Sequence, residues 1–313
     1  MANKRNLLAV PAVAALLACL CNLLWGSAIP FINLGYRLFG IGSGETAVQI
    51  LFAGCRFFLA GALIILFASV PRRHLMRPKR GNWRLAVRLG LVQTVTQYVL
   101  FYIGVANTES VKASLIQGLG AFVSILIAAY LFRSERMNRL KWLGGVLGVV
   151  GVALVNLDGT GLDLRVSLQG EGALLASMCA SACSAGMIKR YSAKEEPVAL
   201  SGWQFMMGGL VMIVSGLLAG GRLTTVSLPA LAVLLYLALL SAVAYTVWAL
   251  LLRANPVSRI AVYMFLQPIF GVALGMLMLG SGEGAPLVRY AVSLALVCLS
   301  ILAVGRGQRE RAQ

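Results

Sequence analysis

"FAGCRFFLAGALIILFA" occupies residues 52–68, and apart from Arg56 every residue in it is apolar or small. As a helix, a run of about this length spans most of a ~30 Å hydrocarbon layer. Arg56 has no acid near it in sequence. An arginine at the centre of a lipid-exposed helix costs about +2.5 to +3.5 kcal/mol on insertion scales. The cation therefore faces protein, water or an interface, and the helix that carries it belongs to a bundle.

Similar runs recur along the chain. Of its 313 residues 59% are hydrophobic and 12% charged, against roughly 25% charged in a soluble domain. Ten apolar spans are predicted, near 7–30, 46–70, 84–105, 110–132, 140–157, 170–190, 197–219, 228–252, 258–279 and 286–305. The short connections leave no room for a large soluble domain, so the expected fold is an all-α polytopic membrane protein. Lys4 and Arg5 precede the first run as in a signal peptide, but the run continues past Trp25 without a small-x-small cleavage site and is expected to stay as a helix.

A net charge of +17 on one solvent-facing surface would suggest nucleic acid. Here the basic residues sit in short loops instead, the pattern that orients membrane proteins. With the N-terminus in the cytoplasm, the inner side holds Lys4 and Arg5, the cluster Arg72–Arg88, then Arg133–Lys141, Lys189–Lys194, Arg253, Arg259 and Arg306–Arg311. The outer side holds Arg37, Lys112, Arg165, Arg222 and Arg289. Both termini are thus expected in the cytoplasm of an inner (plasma) membrane protein. The cysteines, Cys19, Cys21, Cys55, Cys179, Cys183 and Cys298, all fall in apolar segments without disulfide or metal-ligand spacing. No metal or cofactor is expected.

Sliding the chain on itself reveals a repeat at an offset of 148. "AGCRFFLAG" (53–61) falls on "SGWQFMMGG" (201–209), and "ANTES" (106–110) on "ANPVS" (254–258); Phe122 meets Phe270, Leu131 meets Leu279, and Glu135 meets Glu283. The first helices of the halves match at offset 160, through Cys19/Cys179 and Gly26/Gly186. A five-helix unit crosses an odd number of times, so its copy enters from the other side. Two inverted halves, 7–157 and 168–305, are the expected domains. Inverted repeats mark secondary transporters, with a site near the bilayer midplane and helices broken at corresponding positions. Gly120 falls on Pro268, and Gly26 on Gly186; these four are the candidate breaks.

Against this background the chain resembles the drug/metabolite transporter superfamily, specifically the EamA-type ten-helix carriers, over residues 7–304. The resemblance rests on "WGSAIPF" (25–31), "RFFLAG" (56–61), "ASLIQGLGAFVSILIAAYLFRSERM" (113–137) and "LQPIFGVALGMLMLGSGE" (266–283). Two positions depart from the family pattern: the usual proline of the fourth helix is replaced around Gly120–Ala121, and Glu283 follows "GSG" instead of "LGE". The resemblance implies a central cavity between two inverted bundles, alternating access and movement of small metabolites, with export as the direction. It also places Arg56 where the family often has an arginine. Its role stays open between a cavity cation that meets an anionic group and a structural arginine that bonds helix-end carbonyls or snorkels outward.

A cavity in such a bundle shows as polar and aromatic residues on one helix face. Gln93 and Gln97 lie one turn apart with Tyr98 and Tyr102 beside them, and the repeat sets Gln93 on Ser241 and Gln97 on Tyr245, next to Trp248. Asn22, Trp25, Gln117, Tyr263 and Gln267 complete the predicted lining. Singly, each also reads as an interhelical hydrogen bond or an interfacial anchor. Ser181 and Ser184 read as packing residues. Gly144 and Gly148 read as a small-residue seam, within the chain or between two copies, which leaves monomer or homodimer open. Every acid falls in a loop or at a helix end, Glu135 and Glu283 among them, and His74 lies in a basic loop. With no intramembrane carboxylate or imidazole to relay protons, facilitated transport or exchange is favoured. The leading class is a carrier of an amino-acid-like or similar polar or aromatic solute. A non-transporting receptor or assembly component is the alternative; an intramembrane enzyme would need a titratable pair that the spans lack.

Overall fold

The computed structural model describes residues 7–42, 44–108, 110–156, 167–279 and 287–309. Glu109, Asp158, Asp163, Glu283 and Glu310, with Lys4, Arg5, Arg165 and Arg311, lie outside the described residues. Within them every regular element is helical: α1 (Pro11–Phe39), α2 (Thr46–Ser69), α3 (Trp83–Ala106), α4 (Ser110–Tyr130), α5 (Arg139–Asn156), α6 (Leu168–Tyr191), α7 (Pro197–Leu218), α8 (Leu228–Ala254), α9 (257–279) and α10 (Leu287–Arg309). Seven are long and apolar enough to cross a membrane, and shorter apolar helices lie within α4 and α9. With no water in lipid to satisfy peptide groups, such segments persist as helices whose bonds are internal. The chain is an all-helical integral membrane protein.

Local chemistry sets the ends. Pro11 and Pro197 open α1 and α7 where the missing N–H would have had no helical partner. Ser227 caps α8, its Oγ accepting from Ala230 N at 3.3 Å. α1 outruns its predicted end at residue 30, because Pro30 is accommodated inside the helix and the stop comes at Gly40 in a left-handed conformation (φ 67°). The expected breaks at Gly26, Gly120 and Gly186 are not present: α1, α4 and α6 run through them. These glycines serve close packing instead. A methyl at Gly26 would lie 2.9 Å from Phe270 Cβ, and one at Gly120 2.9 Å from Met178 Sδ, while Gly186 abuts the Phe132 ring. Irregular turns occur elsewhere, as π-type turns at 90–96 and 168–172 and a 3-10 stretch at 262–265 just before Pro268.

Helix pairing follows a pattern. α1 packs on α8 and α9, and α6 on α3 and α4; α2 packs on α7, and α5 on α10. Exchanging the first five helices for the last five returns the same pairs. At the α2–α7 seam a methyl on Gly54 would lie 2.9 Å from Gly209 O, and one on Gly209 2.8 Å from Gly54 O. Phe57 and Phe205, equivalent in the repeat, stack there with centroids 5.3 Å apart. Along α5–α10, Ser300 Oγ donates to Gly144 O at 2.6 Å and Ser293 Oγ to Gly151 O at 2.5 Å. The Gly144 seam is therefore filled from within the chain.

The loops sort by end. Hydrogen bonds join Lys79 and Asn82 to Glu195, Lys189 to Arg253, Asn255 to Leu8, Glu135 to Ser258, and Asn138 to Gly307. The loops after α2, α4, α6 and α8 thus share one end with residues near both termini, and it is the end rich in arginine and lysine. At the opposite end Gly40 neighbours Thr225, and Gly170 neighbours Asn107. The exchange pattern is broken at the basic end: α6 touches α8 there, whereas α1 and α3 make no comparable contact among the described residues.

Candidate functional site

A cavity of about 350 Å³ lies between two groups of helices, α1, α8 and α9 on one side and α3, α4 and α6 on the other. Trp25, Tyr245, Trp248 and Gln267 line the first wall, and Gln93, Gln97, Tyr98 and Gln117 the second. Trp25 packs edgewise on Trp248 and tilted on Tyr245, each at 5.0 Å, which fixes an aromatic corner. The hydroxyls of Tyr98 and Tyr245 meet at 2.5 Å across the two groups. The indole N–H of Trp25 and the side-chain Oε1 of Gln97 are buried without a hydrogen-bond partner among the described residues, an uncommon condition for polar groups in a folded chain.

Arg56 reaches this cavity from α2. It is 2% exposed, donates from Nε to Ser241 Oγ at 3.0 Å, and its guanidinium carbon lies 5.2 Å from the Phe57 ring centroid. Ser241 in turn donates to Leu237 O at 2.8 Å, so the serine is itself fixed. The repeat-equivalent of Arg56 is Gln204, which accepts from Thr94 Oγ1 at 2.8 Å. One half thus places a cation where the other places an amide. Among the described lining residues Arg56 is the sole charge.

Gly26 and Pro268 also border the cavity; Asn22, Tyr102, Ser241 and Tyr263 do not. Asn22 is buried and returns its amide to Ala18 O of its own helix at 2.7 Å. Tyr102 sits behind Tyr98, ring to ring at 6.5 Å. Ser241 stands behind Arg56, one turn from Tyr245, where α8 crosses α2. Tyr263 lies on the 3-10 stretch, whose tighter turn carries it into the apolar packing beside Phe265. Conversely, Ser181 and Ser184 line the cavity instead of serving packing alone, with Ser124, Met178, Met264 and Phe101. The serines carry a readable signal in being small polar residues spaced along one face of α6; the methionines carry none.

Beyond Leu252, Ile188 and Ala261, the lining residues nearest the basic loops, the bundle is tied shut. Glu135 accepts from Lys141 Nζ at 2.8 Å, Gln308 Nε2 at 2.6 Å, Ser258 N at 3.0 Å and the Ser258 hydroxyl. Burial works against ionisation of Glu135, but the bonds from Lys141 and Ser258 outweigh it and hold its carboxyl below the ordinary value. Alongside, Lys189 Nζ donates to Arg253 O at 3.1 Å and Asn255 O at 2.7 Å. The bonds from Glu135, in the loop after α4, to Ser258 of α9 and from Lys189 of α6 to the end of α8 cross between the two walls of the cavity.

A helical bundle in lipid, hollow in its interior and knotted by polar bonds at one end, has the architecture that a membrane transport protein requires. Residues 12–157 and 168–306 each match the EamA-like transporter family, and the chain belongs to that family. It is 27% identical over 246 residues to Protein PecM of Dickeya dadantii, covering 76% of this chain and 78% of that protein. It is 25% identical over 265 residues to the uncharacterized inner membrane transporter YedA of Escherichia coli K12, covering 81% and 78%. A similar match, 26% over 229 residues, links it to the uncharacterized transporter YvbV of Bacillus subtilis, covering 71% and 72%. A crystal structure of 16% identity superposes with a TM-score of 0.75 over 93% of this chain and 98% of that one.

Proposed function

We propose that the protein is a secondary carrier that exports an amino-acid-like or similar polar, aromatic solute across the inner membrane by alternating access. Ten crossings form two inverted halves, residues 7–157 and 168–305, with both termini cytoplasmic. The observation that carries this reading is the cavity itself: glutamines and aromatic rings from helices of both halves converge on one interior hollow. Support for inversion comes from the exchange-symmetric helix pairing and from the alternation of loops between the two ends. The basic loops gathered at one end support a cytoplasmic placement for it. Closure there by Glu135 and Lys189, without a matching α1–α3 contact, corresponds to a conformation open away from the cytoplasm. The test is reconstitution into liposomes with a panel of labelled amino acids and aromatic metabolites. Saturable flux of at least one of them is expected; folded protein that moves none sinks the reading in favour of a receptor or assembly role.

A further inference from the structure

We infer that the species the cavity binds is a monoanion: a planar carboxylate on an aromatic or similarly flat body, with the carboxylate seated on Arg56. The inference rests on the carrier reading and names the charge of its substrate. Arg56 is 2% exposed, and only its Nε has a hydrogen-bond partner among the described residues, Ser241. The Ser241 bond and the Phe57 ring fix the guanidinium plane and leave its two terminal nitrogens as a fork at the cavity wall. Such a fork matches a carboxylate bidentately. A buried guanidinium ordinarily has an acid beside it. Here no acid among the described residues lines the cavity or pairs with Arg56, so none of them serves as its counter-ion.

The remaining wall sets the rest of the molecule. Trp25, Tyr98, Tyr245 and Trp248 present flat faces and edges, and the unpartnered Trp25 N–H and Gln97 Oε1 offer one donor and one acceptor. No described lining residue carries negative charge. An ammonium entering would exchange its hydration for aromatic faces and neutral acceptors such as Gln97 Oε1, and would do so beside a fixed cation. The ranking is therefore acid above zwitterion above amine.

Four probes that share one phenyl-ethyl skeleton separate these cases: 3-phenylpropionate, its neutral amide, phenylalanine and phenethylamine. Binding to purified full-length protein is measured by thermal shift and microscale titration, and flux in proteoliposomes. The acid should bind at least tenfold more tightly than the amide or the amine, with phenylalanine between. Arg56→Gln should bring the acid-to-amide ratio to within twofold, and Arg56→Lys, which keeps charge without the fork, should leave it intermediate; the lysine variant serves if the glutamine variant does not fold. Amide or amine binding as tight as the acid overturns the inference, as does an acid preference that survives Arg56→Gln, or binding by none of the four. Arg56-dependent acid binding without flux keeps the inference and removes the carrier reading. Flux of solutes without any anion preference does the reverse.

Discussion

Replacing Lys141 by methionine should open the basic end. Lys141 and Glu135 are 2% and 8% exposed in their side chains and lie 2.8 Å apart. At an effective dielectric of about 20 the attraction is roughly 6 kcal/mol, most of it offset by the cost of desolvating both ions. Removing one partner leaves the other buried and unpaired, which costs about 3–5 kcal/mol. Ser258 and Gln308 still hold Glu135, so the lower end applies, and ~3 kcal/mol is about a hundredfold in the closing equilibrium. The assay is maleimide labelling of Leu252→Cys, in protein freed of its native cysteines; Leu252 lines the cavity next to the clasp. The labelling rate should rise about a hundredfold in Lys141→Met and return to within about tenfold of the parent in Glu135→Gln/Lys141→Met, where no unpaired charge remains. Acid should act in the same direction on the unmodified clasp. The folded value of Glu135 lies below the ordinary 4.5, so its stabilisation is complete above that value and is lost as pH falls through the folded one. Labelling should stay flat through neutral pH and climb only in strong acid. Equal rates for parent, single and double variants would show that these bonds do not hold the end closed.

Other consequences are more local. Gly54→Ala would set a methyl 2.7 Å from Ile213 N and 2.9 Å from Gly209 O, whereas Gly305 has no atom within 4 Å of that position. Gly54→Ala should therefore lower stability by about 1–3 kcal/mol, and Gly305→Ala should not, as read by thermal unfolding in detergent. Gln97→Ala and Tyr245→Ala should each cut transport about tenfold, or ~1.4 kcal/mol, with normal expression; normal transport by both would mean the wrong face has been assigned. Ser241→Ala frees Arg56 Nε and should weaken acid binding by the ~0.5–1.5 kcal/mol of one hydrogen bond, with amide binding as the reference.

The helical class and the extent of the described helices were legible because membrane helices declare themselves through composition; these helices fall on the predicted spans, apart from the long end of α1. Membership of the cavity wall was legible where ideal helical spacing holds. Gln93 and Gln97 share the cavity wall, as do Tyr245 and Trp248. Tyr263 departs from that spacing, because the 3-10 stretch at 262–265 changes the rotation per residue. Ser241 departs from the wall because a helix crossing, which no single-helix pattern encodes, turns it toward α2. Glycines were the hardest to read. The same residue type permits a bend or a close approach, and Gly26, Gly120 and Gly186 all proved to be close approaches.

The contacts also bear on which parts would move in the proposed carrier. Sequence divides the chain into a first and a second half, but packing does not follow that line. α1 from the first half lies with α8 and α9 of the second, while α6 of the second lies with α3 and α4 of the first. The cavity separates these mixed groups, and the bonds that close the basic end, Glu135 to Ser258 and Lys189 to Asn255, pass from one group to the other. α2 with α7, and α5 with α10, pair each helix with its own repeat equivalent. A helix pair related to itself by the exchange can keep its contact while the two groups rock in opposite senses. The glycine contacts of Gly54 with Gly209 and the stacked Phe57 and Phe205 are small or flat surfaces suited to such a pivot. Arg56 stands on that helix next to Phe57, so in the proposed carrier the charge that would seat a carboxylate would keep its place while the walls on either side exchanged which end they close.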